Sequence, residues 1–365
     1  MSRKQQIIDE ARRILGTFEG AAEAVGTAAA PAGEIDPGLE SLESFGPPMP
    51  GAMRGGAAVA ELTPVGRALA AETQRQIQDG LNAMKKVEMG RDEEISDRDQ
   101  HGLEAIVLLA GRPAILIQDG DFMDPPKLWA ELKNVRDQIK EVIRRVGRIE
   151  VSNNPNFEWL GTGWLAGKDV VITNRHVAAE FSRLRGDGTW TFRTPMGASL
   201  NLRAELNSES ALTFTVKSII GIHDDHDLAV LQVEQVSGAD PLPDPLPVFR
   251  ETPAALKGRK VYLIGYPAWD GRRNDPEPMK RIFADIYNVK RLQPREISGD
   301  ALASFEIFHD CSTLGGNSGS PVLDLETHRV LGLHFGGRFL EKNHAVPLWT
   351  LQNDPLVKRA ALNFQ

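Results

Sequence analysis

Gly315-Gly316-Asn317-Ser318-Gly319-Ser320-Pro321 decides how this chain is read. Residues this small let a chain turn tightly and aim successive backbone N–H groups at one point. Working outward, the neighbouring segments are short apolar or alternating runs: Ser304–Phe308 before it, and Pro321–Leu323 and Val330–Phe335 after it. The same grain extends back through Val261–Gly265, Leu228–Val233, Leu212–Val216, Val170–Thr173, Trp159–Leu165 and Arg148–Val151. Gly, Pro, Asn and Asp punctuate these runs, and no helical periodicity separates them. The pattern predicts an all-β barrel or sandwich from about residue 147 to the end, long enough for two small barrels.

Two further motifs lie in the same region. Val171-Ile172-Thr173-Asn174-Arg175-His176-Val177-Ala178 supplies a histidine, and Asp224-Asp225-His226-Asp227-Leu228-Ala229-Val230-Leu231 supplies an aspartate at a strand start. A serine hydroxyl is a weak nucleophile and needs a base within hydrogen-bond reach. His176 is the candidate base for Ser318. Asp227 is the carboxylate that would hold the imidazole tautomer and stabilise it once protonated. The N–H groups of Gly316 and Ser318 would receive the oxyanion. The chain order His, Asp, Ser is one of several in which this constellation occurs.

With these motifs in place, residues of about 148–355 resemble a trypsin-like serine peptidase of the chymotrypsin fold. Within that superfamily they are most similar to the bacterial glutamyl endopeptidase branch. The matching stretches are Gly167-Lys168-Asp169, Thr173–Val177, Ile264-Gly265-Tyr266-Pro267, Ser312–Val322 and Gly332-Leu333-His334-Phe335-Gly336-Gly337. The resemblance implies two six-stranded antiparallel barrels with His176, Asp227 and Ser318 in the cleft between them. It also implies a primary pocket at Ser312, Thr313, His334 and Gly336, in which Thr313 and His334 donate to a Glu or Asp side chain before the scissile bond. Ser312 stands where trypsin carries its pocket aspartate, so selection of Arg or Lys is not expected. Asn317 replaces the aspartate that pairs with a newly cut N-terminus in trypsin; it cannot form that ion pair, and a preformed oxyanion hole is expected instead.

The N-terminal part reads differently. Ile7, Ile8, Ala11, Ile14, Leu15 and Phe18 recur at helical spacing, which predicts an amphipathic helix over 1–19. Residues 20–60 are rich in Ala, Gly and Pro and read as a flexible linker or a cleavable activation segment. Residues 61–146 read as a mainly helical region that regulates or recruits. Its helices are expected from Thr63-Pro64 to about Met89, over about Gln100–Leu109, and after Pro125-Pro126, with a strand at Ala114–Gln118. Residues 147–365 are the expected peptidase domain.

Composition bounds the partners. Forty-two Lys and Arg against 50 Asp and Glu give a net charge of −8, which argues against general nucleic-acid or acidic-membrane binding. The single cysteine, Cys311, can form no internal disulfide and no cysteine-rich zinc site. No run of apolar residues is long enough to span a membrane, and Met1–Gly20 lacks a signal-peptide core. These features predict a cytoplasmic protein without cofactor or metal. Its expected partners are a protein or peptide substrate and a regulatory protein bound by the helical region. His223, Asp224, Asp225 and His226 offer metal-ligand chemistry, but adjacent residues of one turn rarely converge on one ion. Two functions remain open: a serine endopeptidase, and a catalytically silent module that captures peptides in a protease-like cleft.

Overall fold

A computed structural model describes residues 4–5, 7–12, 14–15, 79–107, 111–234, 241–269, 279, 282–338 and 342–365. The expected linker at 20–60 and the first part of the helix expected from Thr63 lie outside the described residues. The chain divides into two compact units: Met1–Pro113, Pro125–Leu132 and Pro276–Asp285 form one, and Ala114–Asp124, Lys133–Asp275 and Ile286–Gln365 the other.

In the first unit the periodicity of the N-terminal segment is realised as far as Leu15, and Phe18 lies outside the described residues. Ile7, Ile8, Ala11, Ile14 and Leu15 share one buried cluster with Leu81, Ala83, Met84, Val87, Ile95, Leu103 and Val107. Burying each such Leu or Ile side chain contributes about 1.5–3 kcal/mol, which a lone short helix could not gather. Helix Asp97–Ile106 lies so close to the helix at 79–88 that a Cβ at Gly102 would strike the Gly80 backbone.

The second unit begins with a hairpin, β1 (Ile115–Gln118) and β2 (Asp121–Phe122). Asp119 and Gly120 turn it with positive φ of 53° and 73°, as a two-residue hairpin requires. The single helix expected after Pro126 is instead a 3₁₀ segment, Lys127–Val135, followed by α-helix Arg136–Ile143.

The strands β3 (Val146–Ser152), β4 (Trp159–Gly167), β5 (Val170–Thr173), β6 (Ser182–Leu184), β7 (Trp190–Phe192), β8 (Gly197–Asn201), β9 (Thr213–Ile222) and β10 (Ala229–Glu234) follow. Six of them close a barrel in the order β10-β5-β4-β3-β8-β9, while β6 and β7 pair separately. Then come β11 (Lys260–Gly265), β12 (Arg291–Ala301), β13 (Glu306–His309), β14 (Pro321–Asp324), β15 (Val330–Arg338) and β16 (Lys342–Pro347). They run β11-β14-β15-β16-β13-β12, and β12 pairs back to β11 to close the second ring. The fold is therefore the expected chymotrypsin-like pair of six-stranded antiparallel barrels, with helices in its N-terminal part.

One boundary needs correction. The region 61–146 is not separate from the barrels along its whole length. β1 pairs with β12 through Ile115↔Leu292 and Leu116↔Arg291, and Arg291 Nη1 donates to the Ala114 carbonyl at 2.7 Å. These partners lie 177 residues apart, so no local pattern could show that β1 extends the second barrel.

Candidate active site

Helix Arg175–Ala179 follows β5 and carries the exposed ring of His176. Asp227 sits in the turn between β9 and β10. The two meet through two bonds: His176 Nδ1 to Asp227 Oδ2 at 2.6 Å, and the His176 backbone N–H to Oδ1 at 3.0 Å. Burial pushes the Asp227 pKa up. The hydrogen bonds and electrostatic attraction from His176, together with the Arg175 charge, outweigh that and hold the carboxyl below its ordinary value.

The Asp227 turn is braced from several sides. Asn174 Nδ2 donates to the Asp227 carbonyl at 2.8 Å. Arg175 Nη1 donates to the carbonyls of His223 and Asp224. His223 Nδ1 accepts the N–H groups of Asp225 and His226, both at 3.1 Å, and its Nε2 lies 3.4 Å from Asp354 at the start of helix Pro355–Ala360. Both ring nitrogens of His223 are thus engaged in holding the turn. The His223–His226 motif is a brace, and Arg175, which the sequence did not single out, is its main clamp.

Ser318 ends a 3₁₀ turn, Gly315–Asn317, just before β14. The first barrel reaches into this turn. Thr162 of β4 donates its N–H to the Ser318 carbonyl at 2.8 Å and its hydroxyl to the Gly316 carbonyl at 2.8 Å. Thr173 of β5 donates in turn to the Thr162 carbonyl at 2.7 Å. Gly161 is bare because a Cβ there would stand 2.9 Å from both the Ser318 carbonyl and the Val177 side chain, one residue beyond His176. Gly319 has φ +89°, and a Cβ on it would collide with the Thr162 carbonyl. The fold therefore brings Ser318 and the His176–Asp227 pair to the junction of the two barrels. The Ser318 hydroxyl and the His176 ring share no hydrogen bond in this structure.

The expected pocket residues gather in the second barrel. Ser312, Thr313 and His334 are buried, and Gly336 follows an irregularity in the β15–β16 pairing. The Thr313 hydroxyl donates to Asn343 Oδ1 at 2.6 Å, and Asn343 Nδ2 donates to the Cys311 carbonyl at 2.8 Å. The expectation that Thr313 offers its proton to a ligand is thereby corrected: that proton is committed to Asn343. His334 Nδ1 lies 3.1 Å from His309 Nε2. Burial lowers the pKa of His309 to about 3 and that of His334 well below its ordinary value, with the neighbouring histidines lowering both further. Both rings are neutral at pH 7. His309 Nδ1 has no hydrogen-bond partner among the described residues. A buried lone pair is left bare more cheaply than a buried N–H. That assigns the shared proton to His309 Nε2 and leaves His334 with an Nε2–H to donate.

With the geometry in hand, the chain can be placed among known proteins. A model described as the trypsin-like peptidase domain matches residues 161–333. A probable serine protease of Lysobacter enzymogenes is 30% identical over 304 residues, covering 73% of this chain and 77% of that one. The chain belongs to the trypsin-like peptidases. Among solved structures, a trypsin-like peptidase with this sequence is similar to the Rv3671c protease in an inactive form (TM-score 0.38, 18% identity, 61% of this chain and 92% of that one). It is also similar to a serine endoprotease from Yersinia pestis (TM-score 0.39, 17% identity, 60% and 65%). As a trypsin-like serine peptidase the protein is a hydrolase. The structure joins His176 to Asp227 and sets Ser318 at the same barrel junction, while Arg175, Gln293, His309 and Asn343, which sequence reasoning did not single out, touch the expected site residues and their turns through partners distant in sequence.

Proposed function

We propose that the protein is a serine endopeptidase in which Ser318 attacks, His176 moves the proton and Asp227 holds His176, with Glu or Asp preferred before the scissile bond. The observation that carries this reading is the doubly bonded His176–Asp227 pair, set at the barrel junction where Thr162 grips the Ser318 turn. Asp227 fixes the proton on Nδ1, so Nε2 is the ring atom with a free lone pair. Substrate seated in the cleft brings the Ser318 hydroxyl to that lone pair; such bonds are commonly open before substrate binds.

Ser318 Oγ then attacks the scissile carbonyl carbon while its proton passes to His176 Nε2. The tetrahedral oxyanion is received by N–H groups of the turn. Three of its donors are spent: Asn317 N–H on Leu314, Gly319 N–H on His334 and Ser320 N–H on Asn317. The N–H groups of Gly316 and Ser318 have no acceptor among the described residues and are the two assigned to the oxyanion. Collapse expels the amine, which takes the proton from His176. Water, deprotonated by the same ring, releases the acyl group from Ser318.

The preference for Glu or Asp rests on His334, whose Nε2–H is a neutral donor fixed by His309. Thr313 spends its proton on Asn343, so a carboxylate reaching this pocket meets one donor rather than two. One observation favours the silent peptide-binding alternative: the absent Ser318–His176 hydrogen bond. Proteome-wide cleavage profiling with wild type and Ser318→Ala decides between them. Wild-type cuts that vanish in Ser318→Ala are expected; an inert wild type that still retains a peptide would favour the silent module. A peptide panel varied only before the scissile bond tests the pocket, and faster cleavage after Leu or Arg than after Glu would refute the acidic preference.

A further inference from the structure

Behind the Ser318 turn, inside the second barrel, lies a polar cluster that neither the proton transfer nor the pocket uses. Asn317 is fully buried, and so is Gln293 on β12. Gln293 Nε2 donates to Asn317 Oδ1 at 3.1 Å across 24 residues of sequence. Gln293 Oε1, Asn317 Nδ2 and Ser320 Oγ are all buried without a hydrogen-bond partner among the described residues. Room for the cluster comes from β11, where a Cβ on Gly265 would collide with Asn317 Oδ1 and Ser320 Oγ. Burying amides this incompletely satisfied costs on the order of 1–3 kcal/mol each, which an apolar core residue would avoid. The one side-chain bond the cluster makes runs from the barrel wall to the residue between the two N–H groups assigned to the oxyanion.

We infer that Gln293 is a positioning residue for the oxyanion turn. Resting on the peptidase reading above, this assigns to a barrel-wall amide the task of holding Asn317 so that the flanking N–H groups of Gly316 and Ser318 converge on the oxyanion. Thr162 grips the turn from the first barrel through its carbonyls; Gln293 grips it from the second through the Asn317 side chain. The Gln293 bond ties the Asn317 side chain, and with it the Cα between the 316–317 and 317–318 peptides, to the barrel wall. Gln293 pairs with Leu263 of β11, and the other edge of β12 is held by β1 at Arg291 and Leu292 and by β13 from Ile297 onward, so Gln293 stands on a wall anchored from both sides. Its effect is on the transition state, because the N–H groups meet full charge only when the oxyanion forms.

The test is Gln293→Met in the full chain, which keeps the volume and removes the donor. Rates are expressed per site titrated with a fluorophosphonate, so unfolded protein does not count. Relative to wild type, kcat should fall by about 10- to 100-fold with KM within about threefold. A peptidyl aldehyde, whose hemiacetal places an oxygen in the hole, should bind more weakly by a similar factor. A kcat per titrated site within threefold of wild type would overturn the inference. So would a loss expressed mainly in KM with aldehyde affinity unchanged, the mark of a merely structural role. An active wild type that Ser318→Ala silences, beside a fully active Gln293→Met, would sink this inference alone; an inert wild type would sink the peptidase reading beneath it.

Discussion

The two barrels contribute to one site by opposite means. The first places His176 on a short surface helix and Asp227 in a turn, with half of the His176 side chain exposed, and braces them with Asn174, Arg175 and His223 around the rim. Its interior is an ordinary apolar core of Ile149, Leu165, Val171, Leu200, Phe214 and Leu231. The second barrel holds its share from within. Gln293, Arg295, His309, Asp310, Asn317, His334 and Asn343 are all buried, beside apolar residues such as Leu263, Ile297 and Val322. A proton-transferring pair must meet substrate, and its small adjustments are tolerated at a rim. An oxyanion turn and a pocket must not move, and polar bonds in a tightly packed interior fix them.

This contrast can be broken at the rim first. His176→Ala should lower kcat/KM by about a thousandfold or more while leaving the melting temperature nearly unchanged, since the ring is exposed. Thermal melts alongside peptide hydrolysis check both, and a loss below tenfold would remove His176 from the mechanism.

The interior answers to pH instead. His309 and His334 have folded pKa values depressed below the ordinary 6.5, so the unfolded chain binds more protons than the folded one below that pH. Stability should therefore be level above about pH 6.5 and fall progressively as the pH is lowered toward 3, the value to which His309 is lowered. Replacing His309 with Leu removes its share of that slope. Urea melts across this range should show a flatter pH dependence for His309→Leu than for wild type, and unchanged slopes would place the buried rings outside the acid response.

The smallest effect is expected at the brace. Arg175→Ala frees the His223 and Asp224 carbonyls and withdraws a positive charge from near Asp227. A loss of about tenfold in kcat/KM is expected, with partial recovery in Arg175→Lys. If Arg175→Ala is indistinguishable from wild type, the rim is held by Asn174 and His223 without it.

How far the sequence could be read follows the same division. β5 and β10 carry continuous apolar runs, and β9 alternates, so the first barrel was legible strand by strand apart from β8. β12 was not. Its sequence, Arg291-Leu292-Gln293-Pro294-Arg295-Glu296-Ile297, reads as loop because its inward positions are polar, and Pro294 breaks the pattern further. β16 was missed for a similar reason, its Asn343 and His344 masking a strand. The Gly315–Asn317 turn was legible because small residues announce a turn. The groups that hold it were hidden because each earns its place through a partner 24 to 32 residues away or more.

The most direct measurement of the central claim is covalent labelling with a fluorophosphonate followed by peptide mass spectrometry. The geometry predicts one adduct per chain, on Ser318, absent from Ser318→Ala and strongly slowed in His176→Ala and Asp227→Ala. Labelling elsewhere, or labelling of Ser318 at an unchanged rate without His176, would contradict it.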